Sequence, residues 1–224
     1  MGGRTSTRWA TARRAFRNWF LDLKDRTGCR RAAKLEETDR TTLINKHCVD
    51  QCCELFSLGR HGSPGPVSSS ENVYRVLIAP VDIEMTTEQI LVTAISHSET
   101  IGMSVLRENA GNDEFRQIIV ERTKAQSRSY HGVARLNCRE IRSMVSTAGA
   151  TRRQAGDRQY IVVDTDMAGL PLHADIFNTL PQESTAKNSL SNKSVWRKER
   201  QRLLDMANRN VLRAHHFRGG SLVE

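Results

Sequence analysis

Long apolar runs are what this sequence most clearly lacks. No window approaches 18 consecutive apolar residues, so no membrane-spanning helix is predicted. An apolar secretory segment is missing as well. Cysteine is sparse and irregular: Cys29, Cys48, Cys52, Cys53 and Cys138 are odd in number and have no disulfide-like spacing. That pattern points to the cytoplasm or another reducing intracellular compartment. His47, Cys48, Cys52 and Cys53 have no second ligand pair at finger-like distance, so these cysteines are expected to be small buried side chains rather than zinc ligands. Apolar residues reach only 38% of the 224, yet Val, Ile and Leu in the middle of the chain suffice for a core. That length allows one domain with extensions or two small ones. There is no internal repeat.

Charge is plentiful and unevenly placed. Residues 1–34 carry a net +8, residues 35–186 a net −5, and residues 187–224 a net +6, giving +9 overall. A mildly acidic body is therefore expected between two basic ends. Arg outnumbers Lys 27 to 7, and a guanidinium grips phosphate in a fixed fork. The first 21 residues contain five Arg and no acid on an amphipathic pattern, as a mitochondrial presequence would, which allows the matrix in a eukaryote. "MGGRTS" also fits N-myristoylation, with Gly2 and Ser6.

Periodicity divides the chain into five parts. Residues 1–58 form a basic helical region, with Trp9, Ala12, Phe16, Trp19, Phe20 and Leu23 on one helical face. A second helix is expected over 39–58. Residues 59–72, rich in Gly, Pro and Ser, read as a linker. Residues 73–180 form an α/β body, 181–193 a second linker, and 194–224 a basic helix and tail. Within the body, "VYRVLIAP" (73–80) reads as a strand stopped by Pro80. Thr86 with Gln89 and Met85 with Ile90 predict a capped helix from Thr87 to about His97. Another helix follows Asn112. "YHGVARLN" (130–137) reads as a strand, after which Asn137 caps a helix running to about Val145. "RQYIVV" (158–163) is the third strand. The expected fold class is α/β or α+β: a small mixed sheet of about three or more strands in β-α-α-β-α-β order, at least partly parallel, flanked by N- and C-terminal basic helices.

The most chemical stretch is "QYIVVDTDMAGLPLHADIF" (159–177). A strand that ends in carboxylates is where hard cations bind, because they take oxygen ligands. "VVDTDMAGL" resembles the first motif of DEDD 3′–5′ exonucleases over nine residues, with Asp166 in place of the usual glutamate. The plainer reading is a strand that ends in Asx-type turns at Asp164 and Asp166. His97, Glu99, His131, Asp164, His173 and Asp175 all fall near ends of expected elements. If they converged, Asp164, Asp166 and His173 would hold Mg or Mn, and Glu99, His131 and Asp175 would act in catalysis. "RNVLRAH" (209–215) resembles the Arg/His pattern of HEPN ribonucleases, although an α/β body does not suit that all-helical fold.

Three functional expectations follow. The first is a nucleic-acid-associated accessory protein, bound to DNA or RNA backbone without reading sequence. Its contacts would be Arg8, Arg13, Arg14 and Arg17 with Lys198, Arg202, Arg209 and Arg213. No resident cofactor is expected in that case. The second is a metal-dependent hydrolase of a phosphodiester or nucleotide. The third is a protein-interaction subunit of a larger assembly, its basic ends meeting an acidic partner.

Overall fold

A nearly continuous apolar run, Asn72–Ala79, buried on both faces, forms β1, the strand through the middle of the sheet. The computed structural model describes residues 52–55, 62–99, 101–145, 158–166, 169–179, 190–213, 217–218 and 221–222. The expected helix over 7–24, with Arg8, Arg13, Arg14 and Arg17, lies outside them. Of the helix expected over 39–58, only Cys52–Leu55 is described, as a 3₁₀ turn.

The elements after β1 are α1 (Thr93–Ser96), β2 (Met103–Arg107), α2 (Asn112–Arg122), β3 (Ser129–Asn137) and α3 (Cys138–Ser143). They continue with β4 (Tyr160–Asp164), β5 (His173–Asn178), α4 (Leu190–Arg209) and β6 (Val211–Arg213). Six strands make one sheet in the order β4-β5-β2-β1-β3-β6, and every neighbouring pair is antiparallel. A separate two-stranded ladder joins β7 (Phe217–Arg218) to β8 (Ser221–Leu222).

This corrects the expected β-α-α-β-α-β order and the expected parallel pairing. Three strands of the six-stranded sheet went unread, as did the two of the separate ladder. β2 and β5 have only five and six residues, too short for a period to declare itself. β6 sits within residues 194–224, where a basic helix and tail were expected. The helix expected from Thr87 is replaced by a loop. Ile83 bridges Ile90 in antiparallel fashion, and Glu88 takes φ 55, outside the helical region. Ile83 and Ile90 are both buried, so burial of that pair overrides the capping signal. The helix itself begins only at Thr93.

The strand alternation is used on both faces. On one face Val73, Leu77, Met103, Val105, Leu136, Tyr160, Val162 and Ile176 pack beneath α1, α3 and α4. These helices contribute Ala94 and Ile95, Cys138 and Ile141, and Leu203, Met206 and Ala207. On the other face Tyr74, Val76, Ile78, Leu106 and Val133 pack against α2 through Phe115, whose ring meets Tyr74 edge-on at 6.0 Å. Asn137 caps α3 as expected, accepting from the backbone N–H of Arg139 and Glu140, and its staple residues Leu136 and Ile141 are fully buried.

The Gly/Pro/Ser stretch lies against this body. Val67 is buried in the larger core, and Arg142 on α3 donates to Val67 O and Ser69 Oγ.

Candidate functional site

Residues of one strand point alternately to opposite faces, and the register decides which side chains meet. β2 pairs with β5 so that Ser104 faces Asp175 and Leu106 faces His173. β4 pairs with β5 so that Val163 faces Asp175, and just beyond its end Thr165 N–H donates to His173 O at 3.2 Å. Ser104, Thr165, His173 and Asp175 therefore share one face, that of α2. Met103, Val105 and Ala174 lie in the opposite core.

These four side chains form one hydrogen-bonded line. His173 Nε2 lies 2.7 Å from Ser104 Oγ, and its Nδ1 lies 2.9 Å from Thr165 Oγ1 and 3.2 Å from Thr165 O. Thr165 Oγ1 donates to Asp175 Oδ2 at 2.7 Å. The protons can be assigned from acceptor chemistry. Thr165 O only accepts, and the single Thr165 hydroxyl proton is committed to Asp175, so Nδ1 carries the histidine proton. In the neutral ring Nε2 is then bare, and Ser104 donates to it. His173, Thr165 and Asp175 are buried, while Ser104 is half-buried.

A seam in the sheet adjoins this line. β1 and β2 pair only at Val73–Arg107 and Tyr74–Leu106, although the same register would go on to oppose Arg75 to Val105 and Val76 to Ser104. Two guanidinium groups take the carbonyls there. Arg75 Nη1 donates to Ser104 O at 2.9 Å, and Arg122 Nη1 donates to Val76 O. Arg122 also pairs with Asp82 at 2.7 Å. Burial pushes the Arg75 guanidinium down to about 10, Arg122 pushes the same way, and Asp82 and Asp175 oppose them.

Asp164 and Asp166 belong to a different cluster. Asp164 pairs with Ala174, which places its side chain on the larger-core face. It accepts from Ser63 Oγ and lies 3.5 Å from Arg107, while Asp166 accepts from Ser63 N at 3.3 Å. Arg107 forks onto Glu71 at 2.8 and 3.0 Å and reaches Gly65 O. Burial raises the Glu71 pKa, but hydrogen bonds from Arg107 and Ser68 N and the charges of Arg107 and Arg142 outweigh it, so the carboxyl sits below its ordinary value.

The expected metal set is thus divided. Asp164 and Asp166 share one cluster, and His173 faces the other way. The expected catalytic set is divided too. His131 is on β3, three strand positions from Asp175 on β5, or about 14 Å at ~4.8 Å per strand. It lies towards the Glu88–Arg213 pair, in which the hydrogen bond and charge of Arg213 hold the Glu88 carboxyl below its ordinary value. Glu99 closes the turn His97–Glu99, and its side chain lies outside the description. Among the described residues, no three His, Cys, Asp or Glu side chains stand in metal-holding geometry.

Of the expected basic contacts, Lys198, Arg202, Arg209 and Arg213 are exposed. Arg202 donates to Val145 O at 2.9 Å, Arg209 lies 3.7 Å from Glu140, and Arg213 pairs with Glu88. An open groove of about 310 Å³ between α3 and α4 is lined by Arg202 and Arg209 but also by Glu140 and Asp205, so its charge is balanced.

Ser104 and Thr165 carry no sequence signal that sets them apart. Arg75 does: a charged residue at the centre of "NVYRVLIA", flanked by apolar residues on both sides, must find buried partners. Among the described residues, no helix is long and apolar enough to cross a membrane. No family model, no curated protein and no solved structure matches the chain.

Proposed function

We propose that this chain is a nucleic-acid-associated accessory protein whose body is held on phosphate backbone by its basic ends, without reading sequence. The observation that carries this reading is the division of α4. Leu203, Met206 and Ala207 dock into the core, while Lys198, Arg202 and Arg209 remain exposed on the same helix. Arginines that packed the core would have been spent on it; these were not. Clustered cations displace the counterions condensed on a polyanion, which gives affinity of any sequence and a steep dependence on salt.

The ion pairs Arg209–Glu140 and Arg213–Glu88 are compatible with that role. Both partners of each pair are about half exposed. Exposed pairs are worth about 0–1 kcal/mol, so a phosphate can replace the carboxylate at small cost. The N-terminal segment, net +8 over residues 1–34, would supply the second cationic arm.

Fluorescence anisotropy with unrelated duplex and single-stranded oligonucleotides of equal length, across a salt series, tests this. Reversing Lys198, Arg202, Arg209 and Arg213 to Glu is expected to weaken binding equally for all sequences. It should also flatten the salt slope by up to about 0.9 per lost contact. Unchanged affinity at low salt overturns the reading. So does capture of an acidic protein partner that nucleic acid fails to displace, which would make the chain an interaction subunit.

A further inference from the structure

We propose that Ser104 is a nucleophile and His173 its general base, in a site for acyl transfer that is independent of the basic surface. A serine hydroxyl is a weak nucleophile unless a neighbouring base takes its proton and a third group holds that base in the right tautomer. Both conditions are met here. Ser104 Oγ lies 2.7 Å from His173 Nε2. Nδ1 is held by Thr165 Oγ1 and Thr165 O at 2.9 and 3.2 Å. Thr165 in turn donates to Asp175. Every proton in the line points towards Asp175, so a positive charge developing on His173 is stabilised through Thr165. Thr165 and Asp175 are positioning residues; Ser104 and His173 touch the reacting atoms.

A nucleophile must be reachable from outside, and Ser104 is the one member of the line that is only partly buried. Here the three inner members are buried, and the line reaches the surface only at Ser104. The buried Arg75 guanidinium beside this strand is engaged with the Ser104 carbonyl and is not offered to a charged substrate. The side chains packed beside the line on this face, Leu106, Val163 and Phe177, are apolar and buried, so they add no charge to its surroundings. The site therefore suits an uncharged carboxylic ester.

In the first step Ser104 Oγ attacks the acyl carbon, and its proton passes to His173 Nε2. The C–O bond to the alcohol breaks, and the departing oxygen takes that proton. Water, deprotonated by His173, then attacks the acyl-serine, releasing the acid and restoring the Ser104 hydroxyl.

A fluorophosphonate probe reports the first half of this chemistry directly. The Oγ–P bond forms, the P–F bond breaks, and fluoride leaves. Incubation of the full chain, followed by peptide mass mapping, is expected to give one adduct, on Ser104. Ser104→Ala should abolish it with the thermal melt unchanged. His173→Gln should slow it by about a hundredfold or more. Should that variant fail to fold, the pair Thr165→Val and Thr165→Ser replaces it. Loss of the hydroxyl should slow labelling at least ~10-fold, and serine should restore it. No adduct on Ser104 in the folded protein, labelling spread over many serines, or a rate indifferent to His173 and to Thr165→Val overturns the proposal. None of these outcomes bears on oligonucleotide binding, which is measured separately.

Discussion

Individual carboxylates do much of the anchoring in this molecule. Glu71 accepts two hydrogen bonds from Arg107, whose side chain is only 5% exposed. The Glu71 pKa is lower folded than unfolded, so its contribution is complete above the unfolded value, ~4.3. It is lost as the pH falls through the lower folded value. Glu71→Gln is therefore expected to cost about 1 kcal/mol at neutral pH, allowing for solvent screening. The difference from the parent should shrink once the pH drops well below ~4.3. Urea unfolding at neutral and acidic pH measures both. An equal difference at both pH values would show that the ionised carboxylate is not what matters.

At the scale of elements, the junction between β3 and β6 depends on one absent side chain. β3 bulges between the partners of Leu77 and Ile78, and Gly132 pairs with Arg213 just there. A Cβ on Gly132 would lie 2.3 Å from Leu212 O. That atom is backbone in a paired strand and cannot swing aside. Gly132→Ala is expected to cost about 1–3 kcal/mol by forcing the strands apart. The denaturation midpoint, and faster hydrogen exchange at the β6 amides, would register it. The seam between β1 and β2 is the opposite device. There the ladder stops, and Arg75 and Arg122 take two of the carbonyls that strand pairing leaves open, those of Ser104 and Val76.

For the whole molecule, one carboxylate ties together parts of the chain that are far apart in sequence. Glu54, 8% exposed, accepts from Arg142 Nε at 2.9 Å, from Arg158, and from Val162 N at 2.7 Å. It thereby joins the turn Cys52–Leu55 to α3 and to the edge strand β4. Glu54→Ala removes the acceptor from a buried guanidinium and from a strand N–H at once. A loss of about 3–5 kcal/mol is expected, as when one partner of a buried pair is deleted. Calorimetry of the full chain would show it as a lowered Tm, and an unchanged Tm would mean that the turn is not part of the folding unit.

Local signals carried β1, β3, β4, α2 and the capped start of α3, because each has an unbroken apolar run, a period long enough to read or a side chain that caps its own neighbours. The capping pattern at Thr86–Gln89 misled, since burial of Ile83 against Ile90 is a tertiary gain that a local hydrogen bond cannot outweigh. The short strands β2, β5 and β6 exist because neighbours pair with them, and neighbours are invisible in a linear sequence. Likewise, "HAD" at 173–175 drew attention to His173 and Asp175, but only the register of β5 between β4 and β2 could place Thr165 on one side of that ring and Ser104 on the other. Residue types are written along the chain, whereas the side on which each points, and what it meets there, follows from strand pairing across the sheet.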